Sequence, residues 1–324
     1  MAFRLFIEIL KRKEISVLVI LLIVISFFYS LQPVFLSTSN TDALRRITPE
    51  LSIPALGITM LMITGEFDLS IGSVFGFTPI LAATLMDTGI NAWVSISFSL
   101  LICCLIGAIH GIITTKANIP SFITTLGGML IWRGAALAIT GGMPKYFHVP
   151  PEIANILTRS ITGSISFHVQ ELWLITLTIV FSIILFRHKF GNWMLATGGN
   201  KEAARALGIN TSKVKTLCFM LCSLMAGFGG IMQSTRLAAA LPNQGDGLEF
   251  DAIAAAVIGG TSLYGGSGTI IGTVIGGYLS RVIENGLVII RAPSYYYRLY
   301  IGIIIIIAVI MNLYLQRRAM KVRG

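Results

Sequence analysis

Hydrophobic positions along this chain come in long unbroken runs, with little of the alternation or one-sided striping of a water-soluble fold. Residues 15–36, 92–113, 119–141, 214–233 and 298–315 are each long enough, or nearly so, to cross a hydrocarbon core about 30 Å thick. A shorter run covers 171–186. Helices on a soluble core keep one polar face, whereas these runs are apolar almost all round. Two further regions are awkward in length. Leu51 to Leu85 is 35 residues, about 52 Å as one helix at 1.5 Å per residue, too long for one crossing and slightly short for two. Phe250 to Ile290 poses the same problem. Each contains a place to break, Gly65-Glu66-Phe67-Asp68-Leu69-Ser70 in the first and Gly265-Gly266-Ser267-Gly268 in the second. Splitting both predicts an all-α, polytopic membrane protein of about ten transmembrane helices. The short or broken ones lie at 51–85 and 250–290, and residues 1–324 form a single transmembrane domain.

Charge orients this arrangement. Of 324 residues, 55% are hydrophobic and 12% charged, about half the charged fraction of a soluble domain. An even number of crossings puts both termini on one side, and both are basic: Arg4, Lys11, Arg12 and Lys13 at one end, Arg317, Arg318, Lys321 and Arg323 at the other. The positive-inside rule places them in the cytoplasm of a bacterial inner membrane. Lys116 joins them, with the segment 187–215 and its six Lys and Arg residues. Fifteen Lys and Arg then lie inside and seven outside (Arg45, Arg46, Lys145, Arg159, Arg236, Arg291, Arg298), leaving Arg133 and Arg281 within spans. A single crossing at 51–85 would lose this asymmetry. The net charge of +10 therefore follows from membrane orientation and calls for no nucleic-acid partner. The first run is too long for the core of a cleaved signal peptide and reads as a retained anchor.

The four cysteines, Cys103, Cys104, Cys218 and Cys222, lie inside apolar runs, where cysteine packs as a small hydrophobe. Neither a metal-ligand spacing nor a disulfide framework is present, and nothing in the sequence asks for a cofactor. Gly268, Gly272 and Gly276 repeat every four residues and would make a smooth stripe for close helix packing or for a sliding helix interface. Ile63-Thr64-Gly65 through Gly72 is faintly echoed by Ile258-Gly259-Gly260 through Gly268, as an internal duplication would leave.

Carboxylates near a membrane normally face protein or a watery cavity. Glu66 and Asp68, with Ser70, are therefore candidates for a translocation path or gate. The alternative is a plain turn, with Asp68 capping a helix that begins at about Leu69. Arg133 follows Thr124, Thr125 and Trp132 inside an apolar run and needs a partner or a polar cavity. Thr124 and Arg133 would line a path, or Arg133 would pair with Glu66 or Glu284. Arg281 and Glu284, three apart, suffice for each other.

The most informative stretch is Gly199-Asn200-Lys201-Glu202-Ala203-Ala204-Arg205-Ala206-Leu207-Gly208-Ile209-Asn210. Asn200 is a good N-cap, Glu202 suits the positive helix N-terminus, and Gly208 is a natural stop. The pattern predicts a short helix with Ala203, Ala204 and Leu207 on one apolar face and Lys201 and Arg205 around it. Such a helix suits a partner's groove or lies along the lipid surface.

At this stretch the chain resembles the permease subunits of bacterial ABC importers for ribose and similar simple sugars. The likeness extends to Thr64-Gly65-Glu66-Phe67-Asp68-Leu69-Ser70-Ile71-Gly72-Ser73, to Thr125-Leu126-Gly127 with Arg133-Gly134, and to Asp251-Ala252-Ile253-Ala254-Ala255-Ala256-Val257-Ile258-Gly259-Gly260-Thr261-Ser262-Leu263. These blocks keep the family's order over about residues 50–290. Glu66 departs from it, since an apolar residue or glycine is more usual there. The resemblance implies a second permease subunit enclosing the path and a cytoplasmic ATP-binding cassette ATPase gripping the helix at about 200–208. It also implies a periplasmic solute-binding protein delivering the sugar. The chain has no Gly-x-x-x-x-Gly-Lys-Ser/Thr phosphate loop, so ATP hydrolysis is expected of another polypeptide. The rival readings are an ion-coupled secondary transporter using Glu66, Asp68 or Arg133 at broken helices, and a membrane enzyme. The latter lacks a nucleophile–base pair or a metal set.

Overall fold

The structure, a computed structural model, describes residues 13–161, 167–293, 296, 297, 299, 300, 302, 303 and 306. The basic residues Arg4, Lys11, Arg12, Arg317, Arg318, Lys321 and Arg323, and most of the span expected at 298–315, lie outside them. Over the described residues the chain is almost entirely helical. At its centre stands α2 (Thr38–Ile63), in which residues 48–63 are buried without exception. A helix wrapped on all sides needs no polar face, which explains why the run beginning at Leu51 shows none. Around it pack α10 (Thr211–Leu237), α11 (Leu248–Ile258), α12 (Ile270–Ile289) and α7 (Val169–Arg187). The helices α3 (Ile71–Asp87), α4 (Ala92–Lys116) and α5 (Ser121–Thr140) form a second group against α10.

Five described helices are long and apolar enough to cross a membrane: α1 (Lys13–Leu31), α4, α5, α7 and α10. The first ends at Leu31, earlier than the run to Leu36 suggested. Pro33 to Leu36 instead form a 3₁₀ turn, because proline lacks an N–H and disfavours helical geometry in the residue before it. Helix α1 rests on α12 through a small cluster of Phe28, Phe35, Leu279, Val282 and Ile283.

Both long ambiguous regions break where the sequence places the interruption. Helix α2 stops at Ile63 and α3 begins at Ile71, while α11 stops at Ile258 and α12 begins at Ile270. The faint echo has a conformational basis. Gly65 and Gly260, each two residues beyond the last helical isoleucine, both have φ in the left-handed region, +83° and +96°, where glycine ends helices without strain. The expected glycine stripe is shorter than three. Gly268 lies ahead of α12 and packs on the Ile63 side chain, so only Gly272 and Gly276 sit on the helix. A Cβ on either would overlap a backbone carbonyl of α11, that of Gly259 or Ala255.

At the opposite end from the breaks, two short antiparallel ribbons pair Lys145–Tyr146 with Ala239–Ala240 and Ser160–Ile161 with Phe167–His168. The short helix α6 (Pro151–Thr158) lies between them in sequence. Toward this end, Glu50 on α2 is 1% exposed. It accepts two hydrogen bonds from Arg236, at 2.5 and 2.9 Å, and one from the Gln233 amide at 3.1 Å. Losing one member of such a pair leaves an uncompensated buried charge, at about 3–5 kcal/mol.

The α11–α12 contact gives a test of packing. Gly276→Leu should destabilise the protein by roughly 1–3 kcal/mol through overpacking, seen as a lowered Tm in detergent. Gly134→Ala, whose Cβ meets nothing within 4 Å, should leave Tm unchanged or slightly raised.

Candidate functional site: the helix breaks and the short projecting helix

A helix C-terminus leaves its last carbonyls without intrahelical partners. At the end of α2 three of them are answered. Thr64 N–H donates to the Leu61 carbonyl and Gly65 N–H to that of Met62, both at 2.9 Å. The Ile63 carbonyl accepts from Gly266 N–H, also at 2.9 Å, and Gly266 belongs to the other break. The two interruptions therefore complete each other. Ahead of α3, Phe67 N–H donates to Ser121 Oγ (3.2 Å) and Leu69 N–H to Thr125 Oγ1 (3.0 Å), both hydroxyls belonging to α5.

Asp68 is fully buried. Its Oδ1 accepts from Ser70 N–H at 2.8 Å and from Ser70 Oγ at 2.5 Å. The helix begins at Ile71, later than Leu69, and Asp68 shapes the turn ahead of it while Ser70 occupies the cap position. The other oxygen, Oδ2, is buried without a hydrogen-bond partner among the described residues and lies 3.9 Å from His110 Nδ1. His110, also buried, comes within 3.3 Å of Ser70 Oγ. A single histidine inside the 92–113 run was the signal for this contact, and the sequence reading passed over it. Glu66 pairs with Lys215 of α10.

Arg133 pairs with neither Glu66 nor Glu284. Its Nη1 donates to the carbonyls of Pro242 (2.7 Å) and Gln244 (2.9 Å), and Nη2 to that of Gly72 (3.3 Å). The segment 241–247 between the Ala239–Ala240 strand and α11 is non-helical and is held against α3 by this fork of donors. Buried carbonyls of irregular backbone need such partners. Gln244 supplies the rest, accepting from Ser234 Oγ and donating to the Gly230 carbonyl. Thr124 has a buried hydroxyl without a partner; its neighbour Thr125 is the residue tied to the break. Arg281 and Glu284 form their expected pair.

The projecting segment folds as α8 (Lys189–Gly199) followed by α9 (Lys201–Ala206). Asn200 caps α9 by accepting from Ala203 N–H at 3.0 Å. Gly208, at φ +81°, ends it, and Ile209 N–H returns to the Ala204 carbonyl at 3.0 Å. Arg205 donates to Thr211 Oγ1 and faces Glu202. The apolar face is divided, contrary to the sequence pattern. Leu207 is 80% exposed and Ala203 exposed, but Ala204 is 2% exposed because the helix lies down on its own chain along that side.

The base of this helix touches both breaks. A Cβ on Gly198 would overlap the Ile63 carbonyl and lie 2.6 Å from Gly266 N. One on Gly265 would lie 2.9 Å from Gly65 Cα and 3.0 Å from Gly198 Cα. Three backbone segments meet here with no side chain between them.

Residues 41–309 match the family described as branched-chain amino acid transport system / permease component. The ribose import permease RbsC of Escherichia coli K12 is 34% identical, covering 91% of this chain and 92% of that protein. The autoinducer 2 import permease LsrC of Yersinia enterocolitica is 37% identical over 78% of this chain and 69% of its own length. The xylose/arabinose import permease XylH of Sulfolobus acidocaldarius is 30% identical over 98% and 89%. No solved structure matches. These relatives favour an import permease over an ion-coupled secondary transporter. With its long apolar helices and this likeness along most of its length, the chain belongs to the family of transport-system permease components and is a multi-pass protein of the inner (plasma) membrane.

Proposed function

We propose that the protein is the permease subunit of an ATP-driven importer for a simple sugar or sugar-like solute. The names of its relatives, import permeases for ribose, xylose/arabinose and autoinducer 2, support the solute class. A periplasmic binding protein delivers the solute, a second permease subunit completes the path, and a cytoplasmic ATPase docks on α9. The observation that carries this reading is the seating of α9. It is short and capped, presents Ala203, Arg205 and Leu207 outward, and is joined through Gly198 and Gly199 to both helix breaks. Movement of the ATPase would reach α2, α3, α11 and α12 through one junction and rock them between outward- and inward-open arrangements. Beside the helix, Lys116, Asn210 and Lys213 line a groove of about 260 Å³ that would continue the docking surface. About ten spans with both termini in the cytoplasm place α9 on the ATPase side.

Leu207→Asp should lower sugar uptake at least tenfold while membrane insertion and protein level stay normal. Uptake in vesicles carrying the assembled complex, normalised to the permease present, measures this, and unchanged uptake would contradict the docking role. Ala204→Arg should instead reduce the amount of folded protein, since its side chain points into the chain.

A reporter fused after Arg323 should read as cytoplasmic, and one inserted near Glu152 as periplasmic. A periplasmic reading at Arg323 would refute the ten-span arrangement.

Asp68→Asn keeps an oxygen for the Ser70 turn and removes the charge facing His110. If Asp68 gates the path, uptake should drop severalfold with little change in Tm. Asp68→Ala should lose uptake and about 1 kcal/mol or more of stability together, through the Ser70 hydrogen bonds. An Asn variant with full uptake would leave Asp68 a purely structural residue.

A further inference from the structure

A cavity of about 540 Å³ opens between the end of α10, the first turn of α11, the second half of α12 and the chain after it. Its polar lining consists of Gln233, Asp246, Asp251, Arg281, Glu284 and Tyr297. None of these was singled out for the path from the sequence. The size falls within the range of small-ligand sites and exceeds a single monosaccharide, leaving room for water. Phe75, Leu287 and Val288 supply apolar wall.

We infer that this cavity is a binding site for a neutral, hydroxyl-rich solute within the translocation path, an assignment that rests on the importer reading. The lining carries three carboxyl groups against one guanidinium, a formal excess of two negative charges. That field opposes the carboxylate of an amino acid or any anionic solute. Arg281 is paired with Glu284 and close enough to Asp251 and Tyr297 to interact electrostatically, which sets a guanidinium donor among carboxylate acceptors. Hydroxyl groups suit this mixed lining, because a sugar's vicinal O–H groups donate to carboxylates and accept from a guanidinium. Arg281 Nε is buried with no hydrogen-bond partner among the described residues, a donor that a solute oxygen would satisfy. Gln233 is anchored by its amide N–H to Glu50, which fixes the side chain and leaves its carbonyl oxygen as an acceptor. The apolar wall offers a surface for the C–H face of a pyranose or furanose ring.

Protection from thiol labelling tests the site in the full chain assembled with its ATPase and binding protein. Val288 lines the cavity and is 65% exposed. Val288→Cys should react with a membrane-impermeant methanethiosulfonate, with the unsubstituted chain as the blank. D-Ribose or D-xylose should slow labelling in a saturable way, whereas L-leucine should not. Asp251→Asn and, separately, Gln233→Leu in that background should raise the half-protecting sugar concentration about tenfold. Equal protection by L-leucine, or an unchanged half-protecting concentration in both variants, would overturn the assignment. If the complex transports ribose or xylose and neither sugar protects, the cavity assignment fails alone. If it transports no sugar on ATP addition, the importer reading fails first.

Discussion

The requirement that backbone polar groups inside a bilayer find protein partners governs most of this structure. A chain that stays helical from one face to the other meets it without help. This chain interrupts two of its helical regions, and each interruption leaves backbone groups that need partners elsewhere in the protein. The answer is mutual. The last carbonyl of α2 takes its hydrogen from Gly266 in the other break, and the N–H groups ahead of α3 are taken by hydroxyls of α5 and by Asp68. Neither break is a self-contained motif. Their glycines follow from this, since a carbonyl and an N–H of two crossing segments come within hydrogen-bond distance only if no Cβ stands between them.

The same requirement explains where the charges went. Arg133 is spent on three carbonyls of irregular backbone, so it serves the fold before it serves any solute. Glu50 and Arg236 brace α2 against α10, and Glu66 and Lys215 tie the first break to α10. A buried pair of this kind adds little net stability, but halving it is expensive. These pairs therefore fix which helices are neighbours. A further group of polar side chains lies around the cavity beside α12.

Much of the fold was legible in the sequence because membrane crossing leaves long, redundant signals. The runs at 92–113, 119–141 and 214–233 each became a helix of similar extent, and both breaks fell at their glycine-bearing turns. The N-cap of Asn200 and the stop at Gly208 were readable for a local reason: capping involves only neighbours in sequence. What escaped was set by distant partners. Periodicity put Ala204 with Leu207, yet the short helix is rolled so that Ala204 faces its own chain. Nothing near Arg133 announces that its partners are carbonyls 61 to 111 residues away. Glu50, just ahead of an apolar run, carries no local sign that it is among the most deeply buried side chains.

The close seating of α9 has a mechanical meaning. Ala204 is packed against the membrane-embedded body, and Gly198 lies backbone to backbone with Ile63 and Gly266. A linkage padded with long side chains would have backlash, because rotamers can yield before the backbone moves. Here backbone meets backbone, so under the docking role proposed above a push on the helix would reach peptide groups at both interruptions directly. The gearing is therefore stiff in both directions, and a rearrangement near the solute would return to the short helix with as little loss as the forward stroke.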